Sequence, residues 1–234
     1  MRNAAPLLVV TCVWAFAGRA AAREPVLVEL FTAQGCASCG AADALIPKLG
    51  DRPNVIALTW SVDYWDYLGW KDTFAKPEFT ERQRAYDKRF GLQDVYTPQV
   101  IVGGAAQTSG DNTSGVDALV AKAIKQKSVG PKIRFLSAGR VEVAAGARPS
   151  GGADVWLIRY DPKEQDVEIK DGDNRGKNVV RYDVVREFVR LGAWRGSSAT
   201  YKVPAPSQEG LSSLVVVQGT RGGRIISLAK RQTD

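Results

Sequence analysis

Apolar and polar positions along the chain follow three rhythms. Val26–Phe31 (VLVELF) and Val55–Trp60 (VIALTW) are β-rich and nearly continuous in apolar residues, as expected of strands buried on both faces. Between them, Ala42, Leu45, Ile46 and Leu49 recur at helical spacing. They predict a helix from Cys36 to about Leu49, with Pro47 removing a backbone bond and bending its last turn. A second helix is expected from about Pro77 to the stop at Gly91, with Phe79, Tyr86 and Phe90 on one face. Then follow a strand entered through Thr97-Pro98, a Gly103-Gly104 turn into Ala105–Thr108, and a last helix. That helix is expected to begin at Ser114 with Asp117 as capping partner, and to bury Val116, Leu119, Val120, Ala123 and Ile124.

After Gly130-Pro131 the rhythm changes to short β-patterned runs: KIRFLS, RVEVAAG, ADVWLIRYD, DVEIKD, ATYKVPA, SSLVVVQG and GRIISLAK. VVRYDVVREFVRLGAW fits strand or helix, and its β-branched residues favour strand. The order β-α-β, inserted helix, β-β-α makes the first two strands parallel and the last two antiparallel. That is the arrangement of a thioredoxin-like sheet. The expected fold is therefore an α/β thioredoxin-like N-terminal domain with an inserted helix, residues 23–130. A β-rich, sandwich-like C-terminal domain, residues 131–234, follows it.

Composition changes this picture at the N-terminus. The 234-residue chain is 44% apolar and 24% charged, enough for a sizeable core without disulfide support. Arg2, the apolar Ala4–Gly18 stretch and Ala20-Ala21-Ala22 read as an export signal over residues 1–22. Its removal takes Cys12 away and leaves two cysteines, both in Cys36-Ala-Ser-Cys39. An exported protein, periplasmic or secreted, is expected, with no stable membrane insertion after cleavage; an uncleaved anchor is the alternative. Net charge is −1 over residues 23–130 and +6 over 131–234. The basic half has no aromatic-basic nucleic-acid motif, so nucleic acid is not an expected partner; a solvated surface or an anionic envelope surface fits better.

Cys36 and Cys39 could be a redox couple, metal ligands or a structural staple. At the start of a helix the first sulfur lies beside unpaired N–H groups and the positive end of the dipole, which stabilises a thiolate. Cys36 then attacks a disulfide and Cys39, one turn in, resolves the mixed disulfide. Metal is disfavoured, because the chain has no histidine and no further mature cysteine, and no cofactor is expected. A structural disulfide would close a very small loop, worth on the order of 2 kcal/mol before strain. In this topology Pro98 packs beside the pair, and a cis Thr97-Pro98 bond would present the backbone of Thr97 to a substrate strand. Ser61–Asp72 (SVDYWDYLGWKD) leaves the second strand where ligands collect in open α/β sheets. Asp63 or Asp66 is a candidate proton relay, and Tyr64, Trp65 and Trp70 offer flat binding surface; a loop packed around the inserted helix explains them equally well. Asp171–Gly176 is a poor calcium loop, because Tyr182 stands where the closing carboxylate belongs. Asn112-Thr-Ser is a glycosylation sequon of consequence only in a eukaryotic secretory pathway.

VELFTAQGCASCGAADAL, VDYWDYLGWKD, VYTPQVIVGG and GDNRGKNVVRYDVVREFVRLGAW together resemble a bacterial exported family, a domain of unknown function with a thioredoxin-like half. The resemblance spans about residues 25–230. It implies a periplasmic location and matches Cys36, Cys39 and Pro98 to the family's cysteine pair and Thr-Pro. Gly40 stands where proline is common, and Ser61 where histidine is common. The leading reading is a thiol-disulfide oxidoreductase, or a redox-responsive relative, acting on protein thiols or disulfides of the cell envelope through Cys36, Cys39, Pro98 and Asp63. Thr97, Tyr64, Trp65 and Asp66 would contact substrate. The alternatives are a non-catalytic envelope binding module with a fixed disulfide and an adaptor for a soft metal such as Cu(I).

Overall fold

The computed structural model describes residues 24–126 and 130–231, so the expected signal over residues 1–22 lies outside the described residues. Thirteen strands and four α-helices are formed among them. The first half contributes β1 (Val26–Thr32), α1 (Gly40–Asp43), α2 (Leu45–Gly50), β2 (Val55–Ser61), α3 (Pro77–Phe90), β3 (Gln99–Val102), β4 (Ala106–Ser109) and α4 (Thr113–Lys125). β5 (Ile133–Ser137), β6 (Arg140–Val143), β7 (Ala153–Asp161), β8 (Gln165–Glu168) and β9 (Asn178–Arg181) follow. β10 (Val184–Trp194), β11 (Ala199–Lys202), β12 (Ser212–Gly219) and β13 (Ile225–Lys230) complete the chain.

The molecule is mixed α/β, dominated by an eight-stranded sheet in the order β13-β12-β7-β10-β2-β1-β3-β4. β1 and β2 are parallel, and β3 runs antiparallel to both β1 and β4. The ambiguous stretch is strand, as its β-branched residues favour, but divided: β9 pairs with β8 in a two-stranded ribbon, and β10 enters the large sheet. The turn between them passes through Asp183 at φ 48. The second half therefore extends the sheet of the first. The junction is narrow, with Val184 of β10 beside Thr59 of β2, and Thr59 Oγ1 donating to the Tyr182 carbonyl at 2.7 Å.

Strand alternation sorts side chains to the two faces of this sheet. Leu27 and Phe31 of β1, and Leu58 and Trp60 of β2, face α3. There they join Ile158, Val185, Leu214 and Val216 from the second half in one core. Val28, Leu30, Val55 and Ala57 point the other way, under α1, α2 and α4. Further along that same face, a three-stranded sheet β11-β6-β5 packs its Val141, Val143 and Tyr201 on Val155, Leu157 and Val215.

Two helix starts differ from expectation. The first helix begins at Gly40 with Cys39 as N-cap and breaks at Ala44. Pro47 explains the break: it has no N–H for the Asp43 carbonyl, and its ring would clash with that group in a continuous helix. α4 is capped by Asn112, whose Oδ1 accepts from the Gly115 N–H at 3.0 Å, while Asp117 pairs with Arg52 at 2.6 Å. Pro77 and a left-handed Gly91 bound α3 as expected.

Candidate functional site

β1 ends at Thr32, and the chain then turns twice before α1. The Cys36 N–H donates to the Ala33 carbonyl at 3.1 Å, and the Cys39 N–H to the Cys36 carbonyl at 3.3 Å. The turn brings the Cys36 and Cys39 Cα atoms to 5.5 Å, joined by a disulfide of 2.08 Å. Both cysteines are buried, Cys36 being 5% exposed as a residue and Cys39 1%. Cys36 lies ahead of the helix rather than on its first turn, and α1 has only four residues. The dipole expected to stabilise a Cys36 thiolate is thus largely missing. The Ser38 hydroxyl stands 3.6 Å from Cys36 Sγ, and with the sulfur oxidised only the hydroxyl can donate.

Three loops meet at Gln34. Its N–H donates to Asp72 Oδ2 at 2.7 Å, its Oε1 accepts from Trp70 Nε1 at 2.8 Å, and its Nε2 donates to Thr73 Oγ1 at 2.9 Å. Its carbonyl accepts from Asn174 Nδ2 at 2.8 Å, and the same Nδ2 donates to the Cys36 carbonyl at 3.1 Å. Asn174 belongs to the second half, so the disulfide turn is clamped from both halves. Lys177 Nζ holds Asn174 Oδ1 at 2.9 Å. Asp72 is buried, and burial pushes its carboxyl up to about 6 against the backbone N–H groups that favour the anion.

Beneath α1, Asp43 pairs with Arg181 of β9 and accepts the Thr32 hydroxyl at 2.9 Å. Burial pulls the Arg181 guanidinium down, though it stays cationic at neutral pH. Its Nη1 serves the pair, while its buried Nε has no protein partner. Arg181 and Cys36 both line a cleft of about 480 Å³ between α1 and the β8–β9 ribbon. Ala37, Gly40 and Ala44 form the α1 wall of this cleft; Lys177, Glu164 and Tyr182 line it from the ribbon's side.

The model for a protein of unknown function, DUF1223, matches residues 27–218. The chain belongs to this family. The DUF1223 chain is also similar to a solved structure, protein AGR_C_4864 from Agrobacterium tumefaciens. The two share 31% identity at a TM-score of 0.71, over 91% of this chain and 97% of that one. HBP35 of Porphyromonas gingivalis shares the fold at a TM-score of 0.61, with 11% identity over 89% of this chain and 75% of that one. Comparison with curated proteins gave no match.

Within this DUF1223 fold, the residues singled out from sequence divide in two. Trp65 packs on the core cluster that contains Cys36 and Cys39, and Thr97 and Pro98 connect to Trp65 and to α1. Trp65 Nε1 donates to Thr97 Oγ1 at 2.8 Å, and Trp65 Cβ would be 3.6 Å from a Cβ on Gly35. The Thr97-Pro98 bond is cis. A Cβ on Gly110 would fall 2.9 Å from Pro98 Cβ and 2.7 Å from Ala42 Cβ, so glycine there lets the proline ring approach α1. Tyr64 lies beside Trp65, with ring centroids 6.0 Å apart, and Asp63 and Asp66 each accept a hydrogen bond from a neighbouring loop or helix. Asp63 Oδ1 accepts the Thr80 hydroxyl at 2.6 Å, and Asp66 Oδ1 accepts the Asp72 N–H at 3.0 Å. Burial raises Tyr64, which packs on the aromatic core. Ser61 is fully buried, and its Oγ has no protein partner. Sequence reasoning passed over Gln34, Asp43, Asn174, Lys177 and Arg181. GDNRGKN was a visible turn-forming block, but nothing local says that its amide spans two carbonyls near residue 36. Among the described residues no helix is long and apolar enough to cross a membrane.

Proposed function

We propose that this protein is an exported thiol-disulfide exchange protein whose working group is the Cys36–Cys39 pair. The observation that carries the reading is the inequality of the two cysteines: Cys36 is a lining residue of a cleft, and the more deeply buried Cys39 is not. An incoming thiolate would attack Cys36 Sγ and expel Cys39 as a thiolate. A second thiolate would attack the incoming sulfur and release Cys36, leaving a protein dithiol and a new disulfide outside. Cys39 is the resolving sulfur in the reverse direction. A thioredoxin-like first half supports this reading, argued from the order β2-β1-β3-β4 and from Pro98 packed toward α1. A periplasmic setting is supported by a disulfide in a chain whose first 22 residues read as an export signal.

Redox titration of the native protein against dithiothreitol tests the reading, with the thiols counted by alkylation. The expected result is reversible two-electron reduction without unfolding; a disulfide that yields only in denaturant overturns it. Cys39→Ser should accumulate mixed disulfides on Cys36 in the cell envelope.

The Asn174 clamp favours a second reading, a binding module in which the disulfide is fixed. In that reading Cys36→Ser retains partner capture, and the titration shows no native reduction.

A further inference from the structure

We propose that the cleft beside Cys36 admits a low-molecular-weight thiol built on an amino acid, carrying both a carboxylate and an ammonium group, and that this is the thiol with which the disulfide exchanges. The inference rests on the exchange reading above and adds the class of substrate.

Access comes first. Cys36 and Cys39 are both buried, Asn174 lies across the backbone of the turn, and Trp65 covers its Gly35 side. A cysteine on the surface of a folded protein meets this cover before it meets the S–S bond. A small molecule can approach through a cleft of about 480 Å³ walled by short side chains. A Cβ on Gly40 would meet nothing within 4 Å, so the α1 wall is open where the cleft passes it.

The ribbon wall supplies the recognition chemistry. Lys177 makes no ion pair among the described residues, and its ammonium holds only the neutral Asn174 amide oxygen. Arg181 is 1% exposed and keeps an Nε donor without a protein partner, although its Nη1 serves Asp43. A buried guanidinium N–H left unpaired calls for an acceptor. Glu164 carries the opposite charge, held by the Tyr182 hydroxyl at 2.8 Å. A zwitterion answers both signs: its carboxylate goes to Lys177 and Arg181, and its ammonium to Glu164. A purely anionic or purely cationic thiol satisfies one and meets repulsion from the other.

In the step itself, the small thiolate forms a bond to Cys36 Sγ as the Cys36–Cys39 bond breaks, and the electron pair leaves on Cys39. A second molecule of the thiol then takes the first away as a small disulfide. Two thiols are oxidised, and the protein gains two electrons and, after protonation, two S–H groups.

The test measures the rate of native disulfide reduction, per thiolate present, by glutathione, cysteamine, 2-mercaptoethanol and a reduced, unfolded polypeptide, with dithiothreitol as control. Glutathione should exceed 2-mercaptoethanol and cysteamine by about tenfold or more, as charge-matched clefts do for their ligands. Lys177→Gln and Glu164→Gln should each lower that ratio, which loosening of the clamp alone would not change. Gly40→Phe should slow glutathione at unchanged thermal stability. Equal rates for the three small thiols, or a faster reaction with the unfolded polypeptide, would overturn the substrate class while native reduction by dithiothreitol upheld the exchange reading. Failure of dithiothreitol to reduce the native protein would overturn both.

Discussion

Arg82 and Arg181 are both buried, each facing a carboxylate, on opposite sides of the large sheet, yet their surroundings differ. Arg82 uses Nε and Nη2 on Glu29, Nη1 on Gln218 and Nη2 also on the Tyr86 hydroxyl, and its guanidinium carbon lies 4.6 Å from the Phe188 ring centroid. Each of its three nitrogens is engaged, and the network ties β1, α3 and β12 together across the two halves. Arg181 meets Asp43 at the edge of a cleft and retains an unpaired donor. A buried ion pair with every nitrogen engaged is a rivet, whereas one with an unengaged nitrogen beside a cavity and a disulfide is part of a site.

That contrast can be broken or sharpened by substitution. Arg82→Met should cost about 3–5 kcal/mol by chemical denaturation, because it strands Glu29 where no solvent reaches. Arg181→Met should cost less, about 2–3 kcal/mol by the same measurement, because Asp43 keeps the Thr32 hydroxyl and lies at a cleft that water can enter. A larger loss for Arg181→Met than for Arg82→Met would reverse the assignment of rivet and site.

Asp72 offers a test by pH. Its folded-state value near 6 lies above the ordinary 3.8, so the native state holds a proton that the unfolded chain releases. Its contribution to stability therefore falls as pH rises from about 4 to about 6 and is flat beyond. Asp72→Asn should remove this component, so that variant stability relative to the parent rises by on the order of 2 kcal/mol across that window in denaturation curves. A parallel pair of pH profiles would show that folding leaves the proton affinity of Asp72 unchanged. The smallest effect belongs to Asn174→Ala, about 1–2 kcal/mol in stability, accompanied by faster reduction of the disulfide in native exchange kinetics. An unchanged reduction rate would deny the clamp its role in shielding Cys36.

How much of this was legible follows from where the information resides. β1 and β2 are nearly continuous apolar runs, and α3 and α4 repeat their apolar residues at the helical period, so each could be read from its own stretch, and Pro77 and Gly91 marked the ends of α3. The start of α1 was misplaced by four residues because the apolar period of Ala42–Leu49 says nothing about Cys36–Ser38, which fold as turns. Cys36 and Cys39 stood out by chemistry, whereas Asn174, Lys177 and Arg181 did not, because a polar residue in a turn looks the same whether it faces water or a carbonyl 138 positions away. The joining of the halves was equally hidden: backbone pairing of Val184 with Thr59 leaves no side-chain signature.

That single register pair also bears on biogenesis. Until Val184 has been synthesised and delivered, the outer edge of β2 has no neighbour, and the aromatic side chains of β1, β2 and α3 lack the second-half residues that later pack on them. A nascent chain in this condition is a template for unwanted strand addition. A stop after residue 126 should therefore yield a sticky fragment instead of a small autonomous fold, and the late strands act for the early ones as a built-in chaperone.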